Sequence, residues 1–171
     1  MRVFLGIDNG VSGSIGVLIP EADSRADFIR MPTFSQQNYT KTKRNVTRID
    51  HRRLNTILCR LGAKEPEEFS FHIMLERPMV NPGRFQATAS ALRALEATLV
   101  VLERYRLPVQ YVDSKEWQKV LLPSGLKGPK ELKKASADIG KRLFPQLSKQ
   151  IDHQKDADGL LIAEFCRRTF R

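Results

Sequence analysis

Cysteine is nearly absent from this chain. Cys59 and Cys166 are its only two thiols in 171 residues, with neither a CxxC pair nor a histidine at ligand spacing, which argues against a disulfide framework and against a zinc site. No apolar run reads as a membrane span, and the N-terminus enters a strand pattern directly instead of a signal-peptide layout, so the expectation is a soluble, cytoplasmic protein with no membrane partner. Internal repeats, low-complexity tracts and a composition break between domains are also missing. Acidic residues are in short supply, 19 against 29 Lys and Arg, giving a net charge of +10 and a pI near 9.9.

What is present fits one folded unit. At this length the chain supports one well-buried core, so residues 1–171 are expected to form a single domain. With 41% hydrophobic and 28% charged residues, wholesale disorder is excluded. The cations are clustered. Lys41, Lys43, Arg44, Arg48, Arg52 and Arg53 crowd one stretch, and Lys115, Lys119, Lys127, Lys130, Lys133, Lys134, Lys141 and Arg142 another. Either run alone reads as a solvated face. Two runs flanking a group of acids point to phosphate-backbone contact.

Three strands are expected first, Arg2 to Asp8, Ser14 to Ile19 across Asn9-Gly10, and Ala26 to Met31, ended by Pro32. Thr33 to Thr47 is polar without apolar periodicity and reads as a long, basic, mobile loop. Asp50 caps a helix through Leu54, Ile57, Leu58 and Leu61 that stops at Gly62. Phe71 to Glu76 is a buried strand, Val109 to Val112 a short one, and Glu131 to Leu143 and Asp156 to Arg168 are helices. Phe85 to Tyr105 is a helix apolar nearly all round, which either crosses the core of a monomer or buries a second face against another subunit. The order predicts a mixed sheet with helices packed on it.

Four carboxylates sit where apolar runs begin or end: Asp8, Glu76, Asp156 and Asp158. Asp8 is also a natural turn former, Asp156 a natural helix cap, and Arg77 an alternative partner for Glu76. A carboxylate at the end of Phe71-His72-Ile73-Met74-Leu75 nevertheless needs a cation or several donors. Residues two apart on a helix point about 200° apart, so Asp156 and Asp158 can face one ion only if Asp156 precedes the regular helix. If the sites converge, the chemistry is phosphodiester hydrolysis by two divalent ions roughly 3.5–4 Å apart, Mg²⁺ or Mn²⁺, with Asp8 bridging. Lys115 and Lys119 are the lysines expected nearest the scissile phosphate.

Gly6-Ile7-Asp8-Asn9-Gly10, Leu75-Glu76 and Asp158-Gly159-Leu160-Leu161-Ile162-Ala163, with Trp117-Gln118-Lys119, resemble the RuvC family of Holliday junction resolvases, and more narrowly its bacteriophage-type members. The resemblance implies a ribonuclease H-like mixed five-stranded sheet flanked by helices, and a homodimeric Mg²⁺-dependent endonuclease acting on four-way DNA junctions in a bacterial or phage-infected cell. It also implies metal-ligand roles for Asp8, Glu76 and Asp158. The family's remaining ligand position meets Lys155 here, leaving Asp156, His153 and Asp152 as alternatives. Lys41, Lys43, Arg44, Lys115, Lys119, Lys127 and Lys130 are the expected DNA contacts. Met79 and Phe85 are expected in core packing, with insertion between bases at the crossover as the other reading. Three rival readings stand beside this one: a related nuclease on structured RNA, a non-catalytic nucleic-acid binding module of the same fold, and, from the first motif alone, an actin-like or sugar kinase, which needs a second domain.

Overall fold

The computed structural model describes residues 1–38 and 41–170. A five-stranded sheet runs in the order β3-β2-β1-β6-β7. β1 (Arg2–Ile7) lies at its centre, antiparallel to β2 (Ser14–Ile19) and parallel to β6 (Ser70–Glu76). β3 (Arg25–Arg30) pairs antiparallel outside β2, and β7 (Val109–Val112) parallel outside β6. The two central strands are buried along almost their whole length, as expected where helices cover both faces.

Alternation along β1 divides the core. Val3, Leu5 and Ile7 face a cluster completed by Leu54 and Leu58 of α1 (His51–Arg60) and by Ala94, Val101 and Leu102 of α2 (Phe85–Arg104). Phe4 on the opposite face joins Trp117 of α3 (Ser114–Leu121), Ile151 of α5 (Ser148–Gln154) and Leu160 to Ala163 of α6 (Asp158–Thr169). The basic helix α4 (Gly128–Leu143) packs against α5 and α6. α6 lies on β1 and β2 at a distance only glycine permits. A Cβ on Gly6 would stand 2.1 Å from the Ala163 nitrogen, and one on Gly16 would stand 2.4 Å from the Gly159 oxygen. Gly6 and Gly16 are register partners. Together they form a flat seat that places the start of α6 beside the end of β1.

Two expectations are corrected, and one of two open alternatives is decided. Residues 33–38 and 41–47 form no long loop: they belong to a two-stranded antiparallel ribbon, β4 (Thr33–Gln37) with β5 (Asn45–Ile49), and its connection. Its polar residues on both faces hide the period-two signal. α2 is not an interior helix. It buries Ala94, Thr98, Val101 and Leu102 while Leu92 and Val100 on its outer side are exposed. The segment Pro82–Arg104 is also long and apolar enough by length and composition to cross a membrane, contrary to the reading that no stretch reaches that length. Its alanines supply enough apolarity while its scattered Arg93 and Glu96 disguise it.

Candidate active site

The parallel pairing of β1 with β6 brings the first two acids together. Ile7 is opposite Leu75, so Asp8 and Glu76 are the next residues on neighbouring strands and emerge at the same sheet end. The two carboxyl groups stand close enough for Glu76 to raise the pKa of Asp8. Glu76 also accepts a 3.1 Å hydrogen bond from Trp117 Nε1, which gives the fully buried indole of α3 the polar partner that it requires.

The other two acids arrive on α6 and the turn before it. α5 ends at Lys155 in a left-handed conformation (φ 71°), and this reversal leaves Asp156 ahead of the regular helix while Asp158 opens it. Both side chains therefore act on Asp8. Asp156 is buried and ion-paired with Lys133 Nζ of α4 at 3.0 Å. Asp158 accepts a hydrogen bond from Ser136 Oγ, which itself accepts one from the Ala157 N–H at 3.0 Å. The Gly159 N–H donates to Ser14 Oγ at 3.1 Å, tying α6 to β2.

Crowding four carboxylates in a partly dry site has an electrostatic consequence. Burial, and then the charge of Glu76, pushes the Asp8 carboxyl up to about 8. Burial again pushes Asp158 up to about 7, against the Ser136 hydrogen bond, with Asp8 and Asp156 adding to the rise. Glu76 is raised by burial too, with the Trp117 hydrogen bond opposing it. Near neutral pH some of these acids keep a proton that a nearby cation would displace.

Among the described residues no three His, Cys, Asp or Glu side chains close around one point. Each acid is turned to its own partner: Glu76 to Trp117, Asp156 to Lys133, Asp158 to Ser136. The donor set nevertheless fits a hard divalent ion. It is all oxygen, it carries more negative charge than Lys133 offsets, and the neighbouring Asn9 has a buried Oδ1 without a hydrogen-bond partner. Asp152 and His153 stand elsewhere. Asp152 is exposed and pairs with Lys141 at 2.9 Å, and His153 lines a separate hollow with Phe28 and Arg30.

An open cleft of about 560 Å³ leads from the acids, lined by Glu76, Asp158, Met79, Arg84, Lys115 and Lys133. Lys115 therefore reaches the cleft, while Lys119 lines the next hollow beside it. Lys127 and Lys130 are exposed at the start of α4, and Lys41, Lys43 and Arg44 lie on the far connection of the ribbon. Met79 and Phe85 are 79% and 72% exposed, so the expectation of core packing fails for both. Lys133 and Trp117 were missed as site residues. A lone tryptophan needing an acceptor was a usable signal, whereas Lys133 was one cation among many.

No protein-family model matches the chain, and no curated protein matches it in sequence. Solved structures do. The Thermus thermophilus RuvC structure is 16% identical, with a TM-score of 0.50, over 98% of this chain and 96% of that one. T. thermophilus RuvC in complex with Holliday junction substrate is 15% identical, with a TM-score of 0.53, over 99% of this chain and 96% of that one. Likeness at this identity establishes architecture: the mixed five-stranded sheet and its flanking helices have the RuvC-type, ribonuclease H-like fold.

Proposed function

We propose that this protein is a divalent-metal-dependent endonuclease that resolves four-way DNA junctions. The observation carrying this reading is the gathering of Asp8, Glu76, Asp156 and Asp158 at one sheet end, opening on a cation-lined cleft. That one similar structure holds a Holliday junction supports the choice of substrate.

Asp8, Glu76, Asp156 and Asp158 are the residues that would hold two Mg²⁺ or Mn²⁺ ions. When bound, such ions supply Lewis acidity that lowers the pKa of water and offsets charge on a departing 3′ oxygen. The chain's own residues do the rest. Trp117 anchors one oxygen of Glu76, and Ser136 one oxygen of Asp158, which leaves the second oxygen of each to turn toward a metal. Lys133, at the rim of the cleft, carries a charge that can pass from Asp156 to a phosphate oxygen. Lys115, Lys119, Lys127 and Lys130 line the path of the backbone beyond it.

Met79 and Phe85, exposed beside the cleft, are suited to stack on bases unpaired at the crossover. The outer face of α2, with Leu92 and Val100, is the surface we assign to a two-fold homodimer, which gives two sites for two symmetric nicks. The assignment to the bacteriophage-type branch, and to the cytoplasm of a bacterial or phage-infected cell, rests on the sequence resemblance alone.

The test is cleavage of an end-labelled four-way junction with Mg²⁺, beside a linear duplex of the same sequence and a structured RNA. Wild type is expected to nick the junction in paired strands, and Asp8→Asn and Glu76→Gln to bind it without cutting. Equal binding with no cutting by any of the three proteins identifies a non-catalytic binding module, and preferential cutting of the RNA identifies an RNA nuclease.

A further inference from the structure

The β4–β5 ribbon has a composition and a placement that the catalytic reading does not use. From Thr33 to Ile49 there is no acidic residue and there are four basic ones, Lys41, Lys43, Arg44 and Arg48. Register sorts the strands into two faces. Ser35 pairs with Thr47 and Gln37 with Asn45, so these four side chains share one face, and all four are exposed. The root of that face carries half-buried Thr33 and buried Ile49; on the other face Gln36 and Val46 are half-buried while Phe34 and Arg48 are exposed, and β5 packs against α2. Beyond the root, the Ser35, Gln37, Asn45 and Thr47 face is exposed, uncharged and rich in hydrogen-bonding groups.

The ribbon is rooted at the sheet end that carries the acids. Asp8 N–H donates to Ser14 O, Ser14 is the register partner of Arg30, and the next residue, Met31, donates its N–H to Gly13 O at 2.9 Å. The second strand is tied back by Asp50 N–H to Pro32 O at 2.8 Å, with Met31 and Ile49 buried beneath. Five residues per strand give a length of about 16 Å, and the B-form major groove, about 12 Å wide, admits a two-stranded ribbon. Asn and Gln are the side chains that bond adenine with two hydrogen bonds, and Ser and Thr bond several bases. The deep, narrow major groove of A-form RNA admits no such element.

We propose that the β4–β5 ribbon is a groove-reading arm. It lays Ser35, Gln37, Asn45 and Thr47 on the base edges of one B-form arm of the substrate while Lys41, Lys43 and Arg44 hold flanking phosphates. This gives the nuclease a sequence preference, and it rests on the junction reading above.

The experiment uses the Asp8→Asn protein with Mg²⁺, expected to bind without cutting, on four-way junctions with a fixed branch point and randomised arms, with a randomised linear duplex and a duplex RNA in parallel. Bound and free fractions are sequenced. In that background, Gln37→Ala with Asn45→Ala is expected to flatten the base preference about tenfold while changing average affinity less than threefold. Lys41→Ala with Lys43→Ala and Arg44→Ala is expected to weaken binding to every sequence and to reduce the slope of log affinity against log salt by up to about 2.7. All five residues are exposed, and circular dichroism checks the fold of each variant. No base preference in the parent, or one unchanged by the Gln37 and Asn45 substitutions, overturns the proposal. Duplex RNA bound through the same residues also overturns it. A parent that binds linear duplex as well as junction sinks the junction reading instead, and the effect of the ribbon on linear DNA then stands on its own.

Discussion

Replacing Asp8 with asparagine should make the metal-free protein more stable at alkaline pH while abolishing its chemistry. Burial and the charge of Glu76 hold the Asp8 carboxyl at about 8 against an ordinary 3.8. An acid whose folded pKa is raised binds its proton more tightly in the folded state. Its stabilising contribution is therefore complete below about pH 4 and is lost as pH rises through 8. At about 1.4 kcal/mol per pH unit, the three units from pH 5 to pH 8 cost wild type up to about 4 kcal/mol. Asn has nearly the same shape and carries no charge. Without metal, the margin of Asp8→Asn over wild type should therefore be smallest below about pH 4 and widen by about 2–4 kcal/mol between pH 5 and pH 8. For a chain of this length that is a rise in Tm of roughly 5–15 °C. Thermal denaturation in EDTA at pH 5, 6.5 and 8 measures it, with Mg²⁺ in a parallel series expected to restore wild type far more than the variant. A gap between the two proteins that does not change with pH, or a less stable variant at pH 8, refutes the electrostatic argument.

Three further outcomes are expected. Trp117→Phe keeps the ring buried but removes the 3.1 Å hydrogen bond to Glu76, so junction cleavage should fall about tenfold and half-maximal activity should need more Mg²⁺, as loss of an outer-shell partner does. Gly16→Ala drives a methyl group to within 2.4 Å of the α6 backbone and should cost about 3 kcal/mol or more in urea unfolding; a cost below about 0.5 kcal/mol would mean that α6 does not rest on β2. Leu92→Glu with Val100→Glu places charges on the exposed face of α2 and should convert a dimer to a monomer in sedimentation at micromolar concentration, while a monomeric wild type would rule the interface out.

Much of the fold was legible because burial leaves a periodic trace. β1, β2 and β6 are apolar runs between turn residues, and α1 and α6 have helical spacing. The ribbon was not legible: Ser, Thr, Asn and Gln fill most of one face while Gln36 and Arg48 interrupt the apolar Phe34 and Val46 of the other, and its order comes from pairing and from a root of Met31 and Ile49. α3 did have a local signal that went unused, the Asp113–Glu116 capping box.

The three acid motifs could be picked out because carboxylates at the ends of buried runs are costly without a partner. Choosing Asp156 over Asp152 and His153 as the fourth site position needed the backbone reversal at Lys155, which no propensity for lysine foretells. Lys133 reaches Asp156 across 23 residues only because α4 packs on α6, and sequence spacing carries no record of that.

The most direct test of the central claim is diffraction from crystals soaked in Mn²⁺, measured at a wavelength where manganese scatters anomalously. Anomalous peaks are predicted within ligand distance of Asp8, Glu76 and the two acids before and at the start of α6. Strong peaks elsewhere with none beside Asp8 would contradict the account.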